Sequence, residues 1–190
     1  MATVNLQVGA SSDDARENSG AVSLTSGSIN IGGVNQKLGF RWANVTVPQG
    51  ATIVSATASF YVTSTTNDTP NGTTVGMEAA DNAGTFTTGA NNITNRTRTS
   101  TVDWNGADIG SGWQTVDVTS LVQAVVNRAG WASGNAMAAL LYGVTGANVT
   151  ITTYDGTPAN AAKLDIEYTV GSGGSGVSVK AMYYARMRAG

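Results

Sequence analysis

Alternation of apolar and polar residues with a period of two is the feature that most constrains the fold of this chain. In the segment ATIVSATASFYVTST, the side chains of Ala56, Phe60 and Val62 share one face of an extended strand. Thr57 and Tyr61 fall on the opposite face. A strand of this kind has to bury its apolar face against a second layer, so the pattern predicts a β-sandwich or a related two-layer protein.

The same pattern recurs along the chain in short segments, which are separated by turns rich in Gly, Asn and Ser. The ten candidate strands are TVNLQV, AVSL, INIG, KLGFRWANVTV, ATIVSATASFYVTST, TTVGMEAAD, WQTVDV, AMAALLYGV, VTITTY and KLDIEYTV. Eight to ten short strands of this kind predict an all-β antiparallel β-sandwich of jelly-roll type. We place this single domain at residues 1–170 of the 190-residue chain.

One segment, DVTSLVQAVVNRAGW, departs from the period of two and predicts a short capping helix. Its apolar residues recur at helical spacing, at Leu121, Val122, Val125 and Val126. Thr119 or Ser120 is expected to cap the amino-terminal end of the helix. Gly130 is expected to end it in the left-handed conformation.

A long stretch from Gly84 to Asn105 has little apolar content and is rich in Thr and Asn. We predict an extended loop with one short strand near Val102–Trp104. A loop of this length is a candidate functional surface. Arg96 and Arg98 within it are expected to form a solvated pair or part of an interface.

The chain contains no Cys and no His, which excludes several kinds of active site. Zinc sites built on those ligands and Ser-His-Asp or Cys-His catalysis are ruled out. A glycosidase would need two facing carboxyl groups, and no spacing in the sequence pairs any two of the candidate acids. These acids are Glu78, Asp103, Asp117, Asp155 and Glu167. Asp117 is expected to support the helix start and Glu167 to lie on the outer face of a strand. The protein is therefore predicted not to be an enzyme.

The segment SSDDARE brings Asp13, Asp14 and Glu17 close together in sequence. Carboxylate clusters can hold Ca²⁺, which prefers oxygen ligands. The alternative is a solvated turn in which Asp13 binds its own backbone. A structural calcium ion is the only cofactor that the sequence suggests.

Three tryptophans, Trp104, Trp113 and Trp131, border predicted loops. Exposed aromatic rings could stack on sugar rings, which would make the sandwich a carbohydrate-binding module. The alternative is that these side chains pack in the core or at its edge, since Trp is highly buried on average.

The chain ends in two segments unlike the rest, a Gly/Ser linker at 171–176 and a tail at 177–190. The tail carries three cations and no acid, whereas the rest of the chain has seven cations and twelve acids, a net charge of −5. Tyr, Met and Arg are enriched in interface cores, so the tail is predicted to attach the protein to a partner, as an added strand or as a short helix. The alternative is a disordered terminus. The predicted partner-binding residues are Val177, Val179, Lys180, Met182, Tyr183, Tyr184, Arg186, Met187 and Arg188.

The segment WQTVDVTSLVQAVVNRAGWASGNAMAALLYG, with GATIVSATASFYV before it and TYDGTPANAAKLDIEYTV after it, resembles the DNRLRE-type and related β-sandwich modules of bacteria and their phages. The resemblance covers most of residues 1–170 and excludes the tail. It implies a sandwich fold, with Trp113 and Trp131 at structural positions. Such modules occur as non-catalytic appendages of carbohydrate-active and surface proteins and as virion components.

These observations lead to two expectations of function. The first is a structural protein of a phage-type virion, either a capsid decoration (cement) protein or a tail or fibre component. The start MATVNLQVGA does not match a secretory signal, so the protein would be made in the host cytoplasm and released by lysis. Its partners would be a major capsid protein or tail proteins, and further copies of itself. The second expectation is an extracellular carbohydrate-binding module with a surface glycan as its ligand.

Two classes of partner are not expected. With a net charge of −2 and a pI near 4.9, the chain has no general affinity for nucleic acid. No stretch approaches the length of a membrane span, so no membrane partner is expected.

Overall fold

The computed structural model describes residues 1–33, 35–66, 73–104, 110–143 and 148–171, and only the backbone at 65, 66 and 148. These ranges contain twelve strands, one α-helix and two 3₁₀ turns. The strands are β1 (Ala2–Gln7), β2 (Asp14–Asn18), β3 (Ala21–Ser23), β4 (Ser28–Ile31), β5 (Gln36–Trp42), β6 (Thr52–Thr66), β7 (Thr74–Glu78), β8 (Arg98–Asp103), β9 (Gly112–Asp117), β10 (Met137–Tyr142), β11 (Asn148–Thr152) and β12 (Lys163–Thr169). The helix is α1 (Thr119–Val126), and the 3₁₀ turns are Ser11–Asp13 and Pro158–Asn160.

The strands form two six-stranded antiparallel sheets, which confirms the predicted all-β sandwich with one short helix. In the first sheet, β6 pairs with β11 and β12 on one edge and with β9 on the other. Strand β1 then pairs with β12, and β4 pairs with β11. The order of the second sheet is β3-β2-β5-β10-β7-β8.

The main core lies between the two sheets and follows the predicted alternation. Phe60 of β6 packs against Phe40 of β5, with ring centroids 4.9 Å apart, and against Trp104 at 5.1 Å. The indole N–H of the buried Trp42 donates to the carbonyl oxygen of Ala162. Because this buried donor is paired, the hydrogen bond offsets the cost of removing the indole N–H from water.

One described strand of the second sheet, β2, was not predicted from the sequence pattern. The segment SSDDARE stands out only for its acidic residues, but Asp14–Asn18 forms β2, which pairs with β5. Strand β8 is also longer than predicted, running from Arg98 to Asp103 rather than near Val102–Trp104. No described helix is long and apolar enough to cross a membrane.

The outer face of the second sheet is covered by residues 79–97, which we call the cover loop. Strand β10 alternates between two apolar clusters: Leu141 points into the main core, and Leu140 points outward. Phe86 and Ile93 of the cover loop pack on that outer cluster and are 2% and 0% exposed. The stretch predicted as an extended functional loop is therefore in large part a packed layer of the fold.

Polar contacts anchor the cover loop to the sheet beneath it. The buried Glu17 carboxylate accepts hydrogen bonds from the backbone N–H groups of Ile93 and Thr94 at 2.8 and 3.0 Å, and from the Thr94 hydroxyl. Arg96 forms a 2.7 Å ion pair with Glu78. Its guanidinium also lies 4.3 Å from the centroid of the Phe86 ring.

The prediction of a solvated arginine pair is therefore wrong. Arg96 is held inside the loop by Glu78, and only 10% of its side chain is exposed. The guanidinium of Arg98 lies 3.6 Å from the centroid of the Tyr142 ring. Burial lowers the pKa of Arg98.

The helix forms where the spacing predicted it, and all four of its predicted apolar residues are buried. Its ends differ from the prediction. No side chain at the N-cap position, Val118, caps the helix, and the Thr119 hydroxyl instead accepts a hydrogen bond from Ala56 N–H at 2.9 Å. The helix ends at Val126 with Asn127 in the right-handed region, so Gly130 does not end it.

A glycine is needed at position 130 for a different structural reason. A Cβ at that position would overlap the Asp81 carboxylate. Asp81 accepts a 2.6 Å hydrogen bond from Nε of Arg128 in an ion pair. The glycine therefore permits the close approach of this carboxylate, a role that helical periodicity does not reveal.

Candidate functional site

An open groove lies where the two sheets end side by side, between β8 of the second sheet and β9 of the first. Helix α1, which follows β9 directly, lines one end of it with Thr119, Ser120 and Gln123. The floor is apolar, and the rim carries two exposed carboxylates. The lining residues are Ile53, Val102, Asp103, Val116, Asp117, Thr119, Ser120 and Gln123.

Contacts between α1 and β6 fix the position of the groove. Helix α1 lies along the same edge of β6 as β9 does, directly after β9 ends. Val118 N–H donates to the Ala56 carbonyl oxygen at 2.9 Å, directly after β9 ends. Further along α1, the Gln123 side chain accepts from Ile53 N–H at 2.8 Å and donates to the Ala51 carbonyl oxygen at 2.9 Å. Helix α1 therefore occupies the edge of β6 beyond β9, and the groove stops there.

Asp117 has the structural role that the sequence predicted. Its carboxylate accepts a 2.8 Å hydrogen bond from the backbone N–H of Thr119, at the first residue of α1. Hydrogen bonds from the side chain and backbone of Thr119 lower the pKa of Asp117. A carboxyl group held ionised in this way is unsuited to act as a general acid.

The other candidate acids do not assemble into a catalytic pair. Glu78 is committed to Arg96, and Asp155 accepts a 2.7 Å hydrogen bond from the Ser11 hydroxyl. Glu167 is exposed on the outer face of β12, as predicted, and accepts from Ser55 at 3.3 Å. Of the five candidates, only Asp103 and Asp117 line one groove.

The acidic segment at 13–17 does not gather its carboxylates around one point. Asp13 forms a 2.6 Å ion pair with Arg41, and Glu17 binds the cover loop. Asp14 accepts a 2.7 Å hydrogen bond from the backbone N–H of Tyr154. Within the described ranges, no group of three or more acidic side chains is arranged to hold a metal ion. The calcium hypothesis is therefore unsupported, because these residues have structural partners instead.

Asp14 is the least satisfied of these acids. It is 1% exposed, and its Oδ1 atom has no hydrogen-bond partner. Its pKa is raised to about 7, chiefly by burial and also by the nearby carboxylates of Asp155 and Asp13, against the lowering effect of the Tyr154 hydrogen bond.

The three candidate tryptophans do not form a common platform. Trp104 and Trp131 are each 3% exposed, and the indole N–H of Trp131 donates to the Val47 carbonyl oxygen at 2.9 Å. Both belong to the core, so their proposed role in sugar binding is wrong. Trp113 is 36% exposed on the outer face of the first sheet.

Trp113 lies in a small cross-strand cluster. It is the register partner of Tyr61, and the two rings meet edge to face at 5.4 Å. The ammonium group of Lys163 lies 4.0 Å from the centroid of the indole ring. These contacts stabilise the sheet without any ligand, and they leave part of the Trp113 indole open to solvent.

The predicted attachment residues, Val177 to Arg188, lie outside the described residues, as does the linker after Gly171. The described chain ends just beyond β12, where Val170 is 58% exposed. A scan against protein-family models finds no match to the chain, and a search of curated proteins finds no significant match. The resemblance to DNRLRE-type modules therefore stays a prediction from the sequence.

Proposed function

We propose that this protein is a non-catalytic structural protein that joins neighbouring subunits of a larger particle through its sandwich and its C-terminal tail. The observation that carries the proposal is the division of charge between the two parts. The tail has a charge of +3 and the remainder −5, so the tail of one copy attracts the remainder of a neighbouring copy or another acidic partner. The resemblance to bacterial and phage modules makes a phage-type virion the setting we favour, with a decoration, tail or fibre role.

The form of the sandwich agrees with a structural role. Both sheets, the helix and the main core lie within residues 2–169. The tail is therefore not required to complete any described strand, which favours a role for it in binding a partner. The carboxylates that could serve hydrolysis are mostly bound to structural partners, which favours a protein without catalytic activity.

Removal of residues 171–190 tests this proposal. We expect the full chain to form a defined oligomer and the chain ending at Val170 to be monomeric, as measured by light scattering. Particles assembled in the presence of the shortened chain should also fail to incorporate it. The shortened chain should keep the thermal unfolding midpoint of the full chain, which controls for folding. Normal assembly of the shortened chain would contradict the proposal.

A carbohydrate-binding module is the second candidate, and the exposure of Trp113 favours it. Its indole lies on a sheet face beside Tyr61 and Lys163, and Lys163 also lines a shallow pocket together with Asn5 and Asp165. A sugar ring could stack on the open part of that indole.

If this second function is correct, Trp113→Ala should weaken binding to an insoluble polysaccharide about tenfold, which corresponds to about 1.4 kcal/mol of lost stacking. Retention of the protein on a panel of polysaccharides measures this. Val54→Ala, which removes an exposed apolar side chain elsewhere on the first sheet, is the matched control. Equal retention of both variants would exclude Trp113 as a sugar platform.

A further inference from the structure

The groove between β8 and β9 has the features of a binding site for an extended peptide. Each flanking strand has only one partner among the described strands: β8 pairs with β7, and β9 pairs with β6. Their outer edges therefore present backbone N–H and C=O groups that an added strand could pair with. The groove between them is open to solvent.

We propose that this groove holds the C-terminal segment, residues 177–190, of a second copy of this chain. The inference rests on the proposed function and names the surface that the tail would bind. An exchanged segment of this kind joins copies head to tail, or reciprocally in pairs.

The groove and the tail match in apolar pattern. Ile53 and Val116 are both 7% exposed, and Val102 is partly buried beside them, so the floor is apolar but not fully covered. In an extended tail, Val177 and Val179 would point to the same face because side chains alternate along a strand. That face would lie on the apolar floor while the backbone pairs with a strand edge.

The two surfaces also match in charge. Asp103 and Asp117 on the rim are exposed. The tail supplies Lys180, Arg186 and Arg188 and has no acid of its own. Such pairing steers the encounter and selects against partners of the wrong charge more than it adds affinity.

The position of α1 favours a second copy over the same chain. Thr169 pairs with Thr52 at the start of β6, so the chain leaves the sandwich at that end, on the edge of β6 opposite to β9. Helix α1 lies along the β9 edge there, since Gly50 N–H donates to the carbonyl oxygen of Val126. Within one chain, the linker at 171–176, which spans about 20 Å at most, would use much of its length to pass around a helix about 10 Å wide before the tail could turn back into the groove, whereas the groove of a second copy can be approached directly.

Charge exchange between the two surfaces tests the proposal with the full-length chain. The groove variant is Asp103→Lys, and the tail variant is Arg186→Glu with Arg188→Glu. We expect each variant alone to weaken self-association at least about tenfold, because like charges would then face each other across the contact. Asp165→Lys makes the same change of charge on the outer face of the first sheet and should leave self-association unchanged.

A mixture of the groove variant and the tail variant tests whether the tail binds the groove of a second copy. The groove variant keeps a normal tail and the tail variant keeps a normal groove, so a one-to-one mixture should form a heterodimer by light scattering. A chain carrying all three substitutions should regain self-association to within about threefold of the unmodified chain, since the opposite charges again face each other. A mixture that stays monomeric would overturn the proposal, as would an unmodified chain that does not self-associate.

The inference and the proposed function can fail separately. If the chain ending at Val170 is monomeric but Asp103→Lys associates normally, the tail binds another surface, and only the groove assignment is wrong. If the shortened chain associates normally, the proposed function itself fails.

Discussion

Replacing Phe86 with Ala is expected to lower the free energy of unfolding by about 3–5 kcal/mol, because the ring is buried between the cover loop and the second sheet. The ring lies directly over Gly39, where an added Cβ would overlap it. Gly39→Ala should therefore cost about 1–3 kcal/mol through overpacking.

The two substitutions should not be additive. Once the Phe86 ring is removed, the methyl group that Gly39→Ala adds enters vacated space, so the double variant should cost clearly less than the sum of the two single variants. Urea unfolding followed by tryptophan fluorescence measures all three values. Thr85→Ala, next to Phe86 but exposed, should change stability by less than about 0.5 kcal/mol. Additive costs would show that Gly39 and Phe86 are not in contact.

The sequence contained a signal for this covered face that the prediction did not use. MAALL in β10 is a continuous apolar run rather than an alternating one, and all of its residues are buried. A run of this kind is typical of a strand covered on both faces. The covering layer itself was hard to find because the loop contributes few apolar side chains, chiefly Ala83, Phe86 and Ile93.

Periodicity predicted the strands and the helix well because their burial repeats in a simple way. Phe40 and Phe60 fall on the inner face of alternating segments, and both are fully buried. The partners of charged residues were not predictable from spacing. Glu17 binds Ile93 and Thr94 across a gap of more than seventy residues, which depends on the tertiary fold alone.

The candidate site was only partly visible in the sequence for the same reason. Asp117 was correctly placed at the start of the helix, since its partner Thr119 is two residues away. Its proximity to Asp103 depends on the edges of two different sheets meeting. The exposure of Trp113 and the burial of Trp104 and Trp131 likewise follow from the side of the sheet that each ring occupies.

The stability of the protein is expected to fall as the pH rises from about 4 to 7, through the contribution of Asp14. Its pKa is raised from 3.8 to about 7 by burial. Between these values the folded protein keeps a proton that the unfolded chain releases, so the free energy of unfolding decreases with increasing pH. At about 1.4 kcal/mol per unit of pKa, the full change is about 4 kcal/mol, and it is complete above the folded-state pKa.

The charged groups around Asp14 come from three parts of the fold. Asp13 precedes it, and Asp155 lies in the turn that follows β11. Arg41 of β5 forms a 2.6 Å ion pair with Asp13. Asp14→Asn removes the titrating group, and its amide oxygen can still accept from Tyr154 N–H as the carboxylate does.

The measurement is the difference in unfolding free energy between Asp14→Asn and the unmodified protein, from urea titrations at pH 4 and pH 8. Taking this difference cancels the contributions of other titrating groups to the pH dependence. One of them is Asp117, whose lowered pKa makes the free energy of unfolding decrease at low pH. We expect the difference to move by about 4 kcal/mol in favour of the variant at pH 8. Asp165→Asn, an exposed acid of β12, should show no such change. If the profiles of Asp14→Asn and the unmodified protein run parallel, Asp14 is already ionised in the folded protein below pH 4.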